Sequence, residues 1–247
     1  MSEIKISKPY DDVELQFYEK SHRFKANGEW VDLSVSAITG IVDKSRPLIY
    51  WATGLMRDNL IAILEENSDA KIGHDDIIFA SKLHAQFLKK AADKGTMVHN
   101  WIEKFLKGLD PELPEEREIK NGVLAFLKWM DKNDVKMLNS ESHIYSKKHK
   151  YAGILDLEAE VNGKLAIVDF KTSNGLYPEM RLQVAGYQIA MEEMTGKEYE
   201  ERWLIRFDKE TGEFHDHLLG DFAKDKKAFI GAIPLKRRIK ELDTYKK

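Results

Sequence analysis

The stretch GILDLEAEVNGKLAIVDFKTS, residues 153–173, constrains the fold more than any other part of the chain. Asn162-Gly163 at its centre is the preferred pair for a two-residue type I′ turn, in which both central residues take positive φ. Such a turn sets Val161 against Lys164 and brings Asp156 opposite Asp169. Alternation then lines up Leu155, Leu157, Ala159, Val161, Ala166, Val168 and Phe170 on one face, which must be core. Asp156, Asp169 and Lys171 share the other face. Directly opposed residues have Cβ atoms roughly 5 Å apart. Two carboxylates at that spacing repel by roughly 3 kcal/mol at an effective dielectric of about 20. A divalent cation between them turns repulsion into coordination, because hard cations take oxygen ligands. Lys171 adds a positive charge beside it. The competing reading makes these solvent-facing residues, with Lys171 in an ordinary cross-strand ion pair. It fits poorly with strands apolar enough to be central.

Around this hairpin the pattern gives an ordered series of elements. Phe17 to Val35 reads as a hairpin turning at Asn27-Gly28. Residues 47–66 and 75–93 read as helices, the second ended by Gly95. A further helix carries Met97, Val98, Trp101, Ile102, Phe105 and Leu106 at helical spacing. Residues 115–132 form another helix after a Pro-marked break. Strands follow at 140–146, 152–161 and 164–172, a helix at 178–194, strands at 202–208 and 213–219, and a helix at 221–241. The expected class is α+β (α/β), a central mixed sheet flanked by helices and preceded by a mostly helical N-terminal half. No composition break divides the chain, so 1–247 reads as one domain, with a hairpin and helices over 1–94 and the main core over 95–247.

Two further pairs are suggestive. His99 and Glu103 lie one turn apart on one helix face, where both could reach a metal or its waters. The same spacing also fits a structural histidine bonded to its i+4 glutamate. Gln183 and Tyr187, likewise four apart, follow the hairpin on the next helix. They could orient the lysine or a phosphate, or be a surface glutamine and a half-buried tyrosine.

Composition narrows the setting. The 247 residues include no cysteine, which excludes disulfides, zinc–thiolate sites and iron–sulfur clusters. The apolar runs are too short to span a bilayer and the N-terminus lacks the apolar core of a signal peptide, so a cytoplasmic protein is expected. A net charge of −3 argues against non-specific coating of nucleic acid but leaves room for a local basic groove. Lys147, Lys148 and Lys150 cluster, and so do Lys224, Lys226, Lys227, Lys236, Arg237, Arg238, Lys240, Lys246 and Lys247. Solvated helix faces would give the same runs.

In order, Gly95-Thr96…His99, Gly153…Asp156, Asp169-Phe170-Lys171 and Gln183…Tyr187 resemble the motifs of the PD-(D/E)XK nuclease superfamily, in its RecB-like branch with the phage exonucleases. The segment from Ser34 to Trp51 resembles the opening segment of phage members. The resemblance implies a restriction-endonuclease-like core and a Mg²⁺- or Mn²⁺-dependent deoxyribonuclease using one or two ions. It implies His99, Asp156, Asp169 and the Phe170 carbonyl as metal ligands, with Glu103 and Glu141 as possible additional acids. Lys171 would activate water and offset phosphate charge, while Gln183 and Tyr187 would support the site or touch DNA. Lys147, Lys148, Lys150 and Trp51 would contact DNA, with Trp51 or Tyr177 stacking on an unpaired base. The Pro of the family name is replaced by Leu155, and Asp169 stands where many members carry glutamate. The expected role is an exonuclease of recombination, repair or phage DNA processing, encoded by a bacterium or phage and working with a recombination or single-strand-binding partner. Two alternatives stay open: a structure- or site-specific endonuclease, and an inactive nuclease-fold DNA-binding protein.

Overall fold

A computed structural model describes residues 4–66 and 71–243. Lys246 and Lys247 of the C-terminal basic run lie outside these described residues. The chain divides into two compact units, one formed by the segments up to Val42 and from Val98 onward, the other by Asp43–Met97.

In the first unit, strands β1 (Ile4–Tyr10), β2 (Val13–Tyr18), β3 (Arg23–Ala26) and β4 (Glu29–Trp30) form an antiparallel sheet in that order. Asn27 and Gly28 turn between β3 and β4 with φ of 49° and 84°, the left-handed geometry that an Asn-Gly pair accepts at little strain. Strand β1 has no counterpart among the elements expected from the sequence pattern. Strand β5 (Leu33–Ser34) and the short helix α1 (Val35–Thr39) follow, with Ser34 Oγ accepting from Ala37 N at 3.1 Å as the helix cap.

The second unit holds helix α2 (Ser45–Glu66) and most of α3 (His74–Leu106), whose last turns from Val98 belong to the first unit. Gly95 does not end a helix as expected. One glycine costs a helix interior only about 1 kcal/mol, and the apolar residues on both sides keep helical spacing through it.

Helix α4 (Arg117–Lys132) leads into β6 (Val135–Ser146), β7 (Tyr151–Val161) and β8 (Lys164–Lys171); α5 (Pro178–Thr195), β9 (Glu201–Phe207), β10 (Phe214–Leu218) and α6 (Phe222–Asp243) complete the unit. The large sheet runs β10-β9-β8-β7-β5, with β6 also paired to β7. It is mixed, as expected: β8 pairs parallel to β9 and β5 parallel to β7, and the remaining pairs are antiparallel. One face packs on α3 and α4 through Val98, Ile102, Val123, Phe126 and Trp129 against Leu157, Val168, Phe170 and Phe207. The other packs on α1, α5 and α6 through Ile38, Val184, Tyr187 and Phe229 against Ile144, Tyr151, Ile167 and Leu204.

The predicted hairpin register holds from Val161↔Lys164 to Leu157↔Val168, with Asn162 and Gly163 at φ of 51° and 81°. The paired ladder stops there, so Asp156 and Asp169 are the first residues beyond it rather than a paired couple. The shared apolar face also needs correction. Leu155 belongs to the core cluster of Ile144, Tyr151 and Tyr187, not to that of Leu157. Simple alternation therefore fails at Asp156, where two strands locally depart from regular pairing.

Candidate metal centre

Across the sheet from this point, β6 is irregular too. Ser140 pairs with Leu157 and Ser142 with Leu155, which leaves Glu141 facing Asp156 across the ladder. Glu141 has φ of 49°, a left-handed conformation rare for a side chain of this kind and costing about 1–3 kcal/mol. Such strain persists only where surrounding structure enforces it. His99, on the part of α3 in the first unit, completes the group. One ligand atom from each of His99, Glu141 and Asp156 lies within 4.8 Å of the others.

Asp156 is fixed from below: its Oδ2 accepts from the Phe170 backbone N–H at 2.7 Å, and its Oδ1 lies 3.8 Å from His99 Nδ1. The Phe170 side chain is buried edge-on to Phe126 and Trp129, at 5.7 and 5.8 Å between ring centroids, so the aromatic core holds the strand that presents that N–H. Asp169 is 1% exposed, and its Oδ2 lies 2.7 Å from Lys171 Nζ. That contact is an ion pair without hydrogen-bond alignment, because the same oxygen has no hydrogen-bond partner. Lys171 Nζ also donates to Gln183 Oε1 at 3.2 Å, and Gln183 Nε2 donates to Tyr187 Oη at 2.6 Å. The lysine is thus positioned by a line of polar groups running from β8 to α5. Gly153 makes room for this line, since a Cβ there would lie 3.1 Å from Tyr187 Cε1 and 2.9 Å from Val35 Cγ2.

The electrostatics follow from this crowding. Burial, then the charges of Asp156 and Glu103, push the Glu141 carboxyl up to about 8. Burial raises Asp169 to about 6 against the opposing pull of Lys171. Asp156 is raised by burial, with Lys171 and the Phe170 N–H acting the other way. His99 is lowered to about 4 by burial and by Lys171, which keeps its imidazole neutral and able to ligate. Lys171 is raised: the charges of Asp169 and Asp156 outweigh its burial. Tyr187 is raised well above its ordinary value, chiefly by burial, so it remains a neutral phenol.

Burial is the main cause of the raised pKa of all three acids, and a left-handed backbone holds one of them, Glu141, in place. An oxygen-rich set with one imidazole suits Mg²⁺ or Mn²⁺. The donor set fits.

The structure therefore brings together His99, Asp156, Asp169, Lys171, Gln183 and Tyr187, and it moves Glu141 from the margin to the centre. Glu141 was legible only through the register of β6 against β7. Glu103 stands outside the three-residue group, ion-paired to Lys107. The basic turn lies elsewhere. Lys147, Lys148 and Lys150 sit at the β6–β7 connection, roughly 20 Å along the strand from Asp156 by strand rise. Lys147 is paired with Asp12 and lies 4.2 Å over the Tyr10 ring, and the Lys148 backbone N–H donates to Glu193 at 2.8 Å. Trp51 is on α2 in the second unit, 38% exposed, while Tyr177 precedes α5 in the first unit, 46% exposed. Among the described residues, no helix is long and apolar enough to cross a membrane.

No protein-family model matches the chain. Over 109 residues, 42% of this chain and 31% of the relative, it is 28% identical to mitochondrial genome maintenance exonuclease 1 of Xenopus tropicalis. The matched segment thus spans about a third of that relative's length. Among solved structures, the alkaline exonuclease LHK-Exo of Laribacter hongkongensis overlays 87% of this chain and 93% of its own at a TM-score of 0.38 and 10% identity. Its complex with dAMP overlays 85% and 94% at a TM-score of 0.37 and 12% identity.

Proposed function

We propose that this chain is a divalent-metal-dependent nuclease of the PD-(D/E)XK superfamily, in the RecB-like branch, that hydrolyses phosphodiester bonds in DNA as an exonuclease. The observation that carries the reading is the convergence of His99, Glu141 and Asp156 beside the Asp169–Lys171 pair. The 28% identity to an exonuclease supports it independently of the site geometry.

In this reading His99, Asp156 and Glu141 hold Mg²⁺ or Mn²⁺, with Asp169 and the Phe170 carbonyl as further donors. The ion would supply Lewis acidity at the scissile phosphate and a lowered pKa for bound water. The protein's own groups do the rest. Neutral His99 donates a lone pair at the pH of the reaction. Asp156 is kept pointed at the site by the Phe170 N–H. Lys171, held by Asp169 and Gln183, keeps its proton and sets a positive charge against the charge that grows on the phosphate. Tyr187 fixes Gln183 and, through it, the lysine.

The test uses end-labelled linear duplex, single-stranded and covalently closed circular DNA with Mg²⁺, Mn²⁺ or EDTA, beside Asp169→Ala. Metal-dependent loss of linear DNA with the circle spared, and none with the variant, is the expected result. Cutting of the circle makes the protein an endonuclease. DNA retention without cleavage under every condition makes it a binding protein on a nuclease fold and overturns the proposal.

A further inference from the structure

The β1–β4 sheet turns one face inward and leaves the other to solvent. Leu15, Phe17 and Phe24 are buried on the inner face, where Ser7 Oγ lies 3.2 Å from His143 Nδ1 of β6. Register and alternation place Ile4, Ile6, Tyr18, Arg23, Lys25 and Trp30 on the outer face. Trp30, on the edge strand β4, is 45% exposed. The Arg23 guanidinium lies 4.1 Å from the Trp30 ring centroid and Lys25 Nζ lies 4.7 Å from it. The Tyr18 ring is 5.0 Å away, tilted by 47°. Among the described residues neither cation has an acidic partner, whereas Lys5 on the same sheet pairs with Glu19 at 2.8 Å. Two cations gathered on an open indole, rather than on acids, leave their charge available to an anion.

We propose that this outer face binds single-stranded nucleic acid, with Trp30 and Tyr18 stacking on bases and Arg23 and Lys25 taking backbone phosphates. Aromatic rings offer a stacking surface that any base satisfies, and flanking cations follow the backbone. The inference rests on the nuclease reading only for the strand's destination. β1 is the edge of this sheet, and along it runs a groove of about 560 Å³ whose lining includes Lys5, Lys8, Lys107, Glu103 and Glu141. A strand leaving Trp30 across β1 therefore meets Lys8 before it reaches Glu141 of the candidate metal centre.

The test measures anisotropy of fluorescein-labelled oligo(dT) with the full chain in EDTA, where no cleavage interferes. Trp30→Ala should weaken binding by between roughly five-fold and a hundred-fold, the loss of about one stacked base, and Trp30→Phe should restore most of it. Because truncating Trp30 could loosen β4, the decisive variant is Arg23→Gln with Lys25→Gln. Each phosphate contact on a single strand contributes about 0.7 to the slope of log affinity against log salt, so the slope should fall by about 1.4. Unchanged affinity and slope in the double variant overturn the proposal. So does a wild-type protein that binds phosphatidylserine vesicles but not oligo(dT), which would make the face a membrane surface. Cleavage is scored separately: a protein that binds through Trp30 but never cleaves sinks the nuclease reading and leaves this one standing.

Discussion

Replacing Glu141 by glutamine should stabilise the metal-free protein while weakening its hold on a divalent ion. The substitution keeps the shape and the left-handed backbone demand, and it removes one charge from a group whose ligand atoms lie within 4.8 Å of one another. At that separation and an effective dielectric of about 20, the repulsion between Glu141 and Asp156 is roughly 3 kcal/mol. The proton affinity gives a second value. A carboxyl raised from 4.5 to about 8 corresponds to about 5 kcal/mol if taken at face value, and partial exposure of the site reduces that toward the Coulomb figure. Because the folded pKa is the higher, the protonated carboxyl is the form that the fold favours. Its contribution is fully present below pH 4.5 and is lost as pH rises through about 8. With EDTA at pH 9, a difference of about 3 kcal/mol should raise the Tm of Glu141→Gln above wild type by about 6–12 °C. At pH 4 the two should melt together. Adding Mg²⁺ or Mn²⁺ at pH 9 should lift wild type by more than the variant and narrow or reverse the gap. Calorimetry across this pH series is the assay. A variant no more stable than wild type at pH 9 in EDTA, or one that gains as much from metal, would refute the reasoning.

Three further outcomes follow from the same geometry. Lys171→Ala should remain folded and bind metal but cleave more slowly by orders of magnitude, while losing about 3–5 kcal/mol of stability because Asp169 is left buried without its counter-charge; wild-type turnover would remove Lys171 from its proposed role. Tyr187→Phe should keep the fold and lower cleavage several-fold by freeing Gln183, read as a fall in kcat with KM little changed. Gly186→Ala should cost about 1–3 kcal/mol in urea unfolding, since its Cβ would lie 2.5 Å from Phe229 Cζ in a fully buried ring packing; an unchanged midpoint would show that α6 yields freely.

What could be read from the sequence, and what could not, separates along physical lines. The β7–β8 register was legible because Asn162-Gly163 is a turn whose backbone demand nearly names its own residues. Gln183 and Tyr187 were legible as a pair because a spacing of four puts them on one helix face, though their link to Lys171 was one of two readings. Strand β1 was not, since its apolar residues point outward: Ile4 and Ile6 face solvent while Ser7 reaches His143 of β6, so the usual rule of apolar residues within points the wrong way. Glu141 stayed at the margin because its position depends on a connection, Lys147–Lys150, with no turn signature, and on a register shift between Met137 and Asn139. Leu155 was assigned the wrong face because alternation assumes an unbroken pleat, and the pleat breaks where Glu141 meets Asp156.

The left-handed backbone of Glu141 is also a cost that need be borne only while the proposed ion is held. Glycine or asparagine would sit in that conformation with less strain, by on the order of 1 kcal/mol, so drift should favour them once no ion needs to be held. On the proposed reading, a relative that keeps glutamate opposite the Asp156 position should still bind a divalent ion there. One with glycine there should bind the ion more weakly and be the more stable without it.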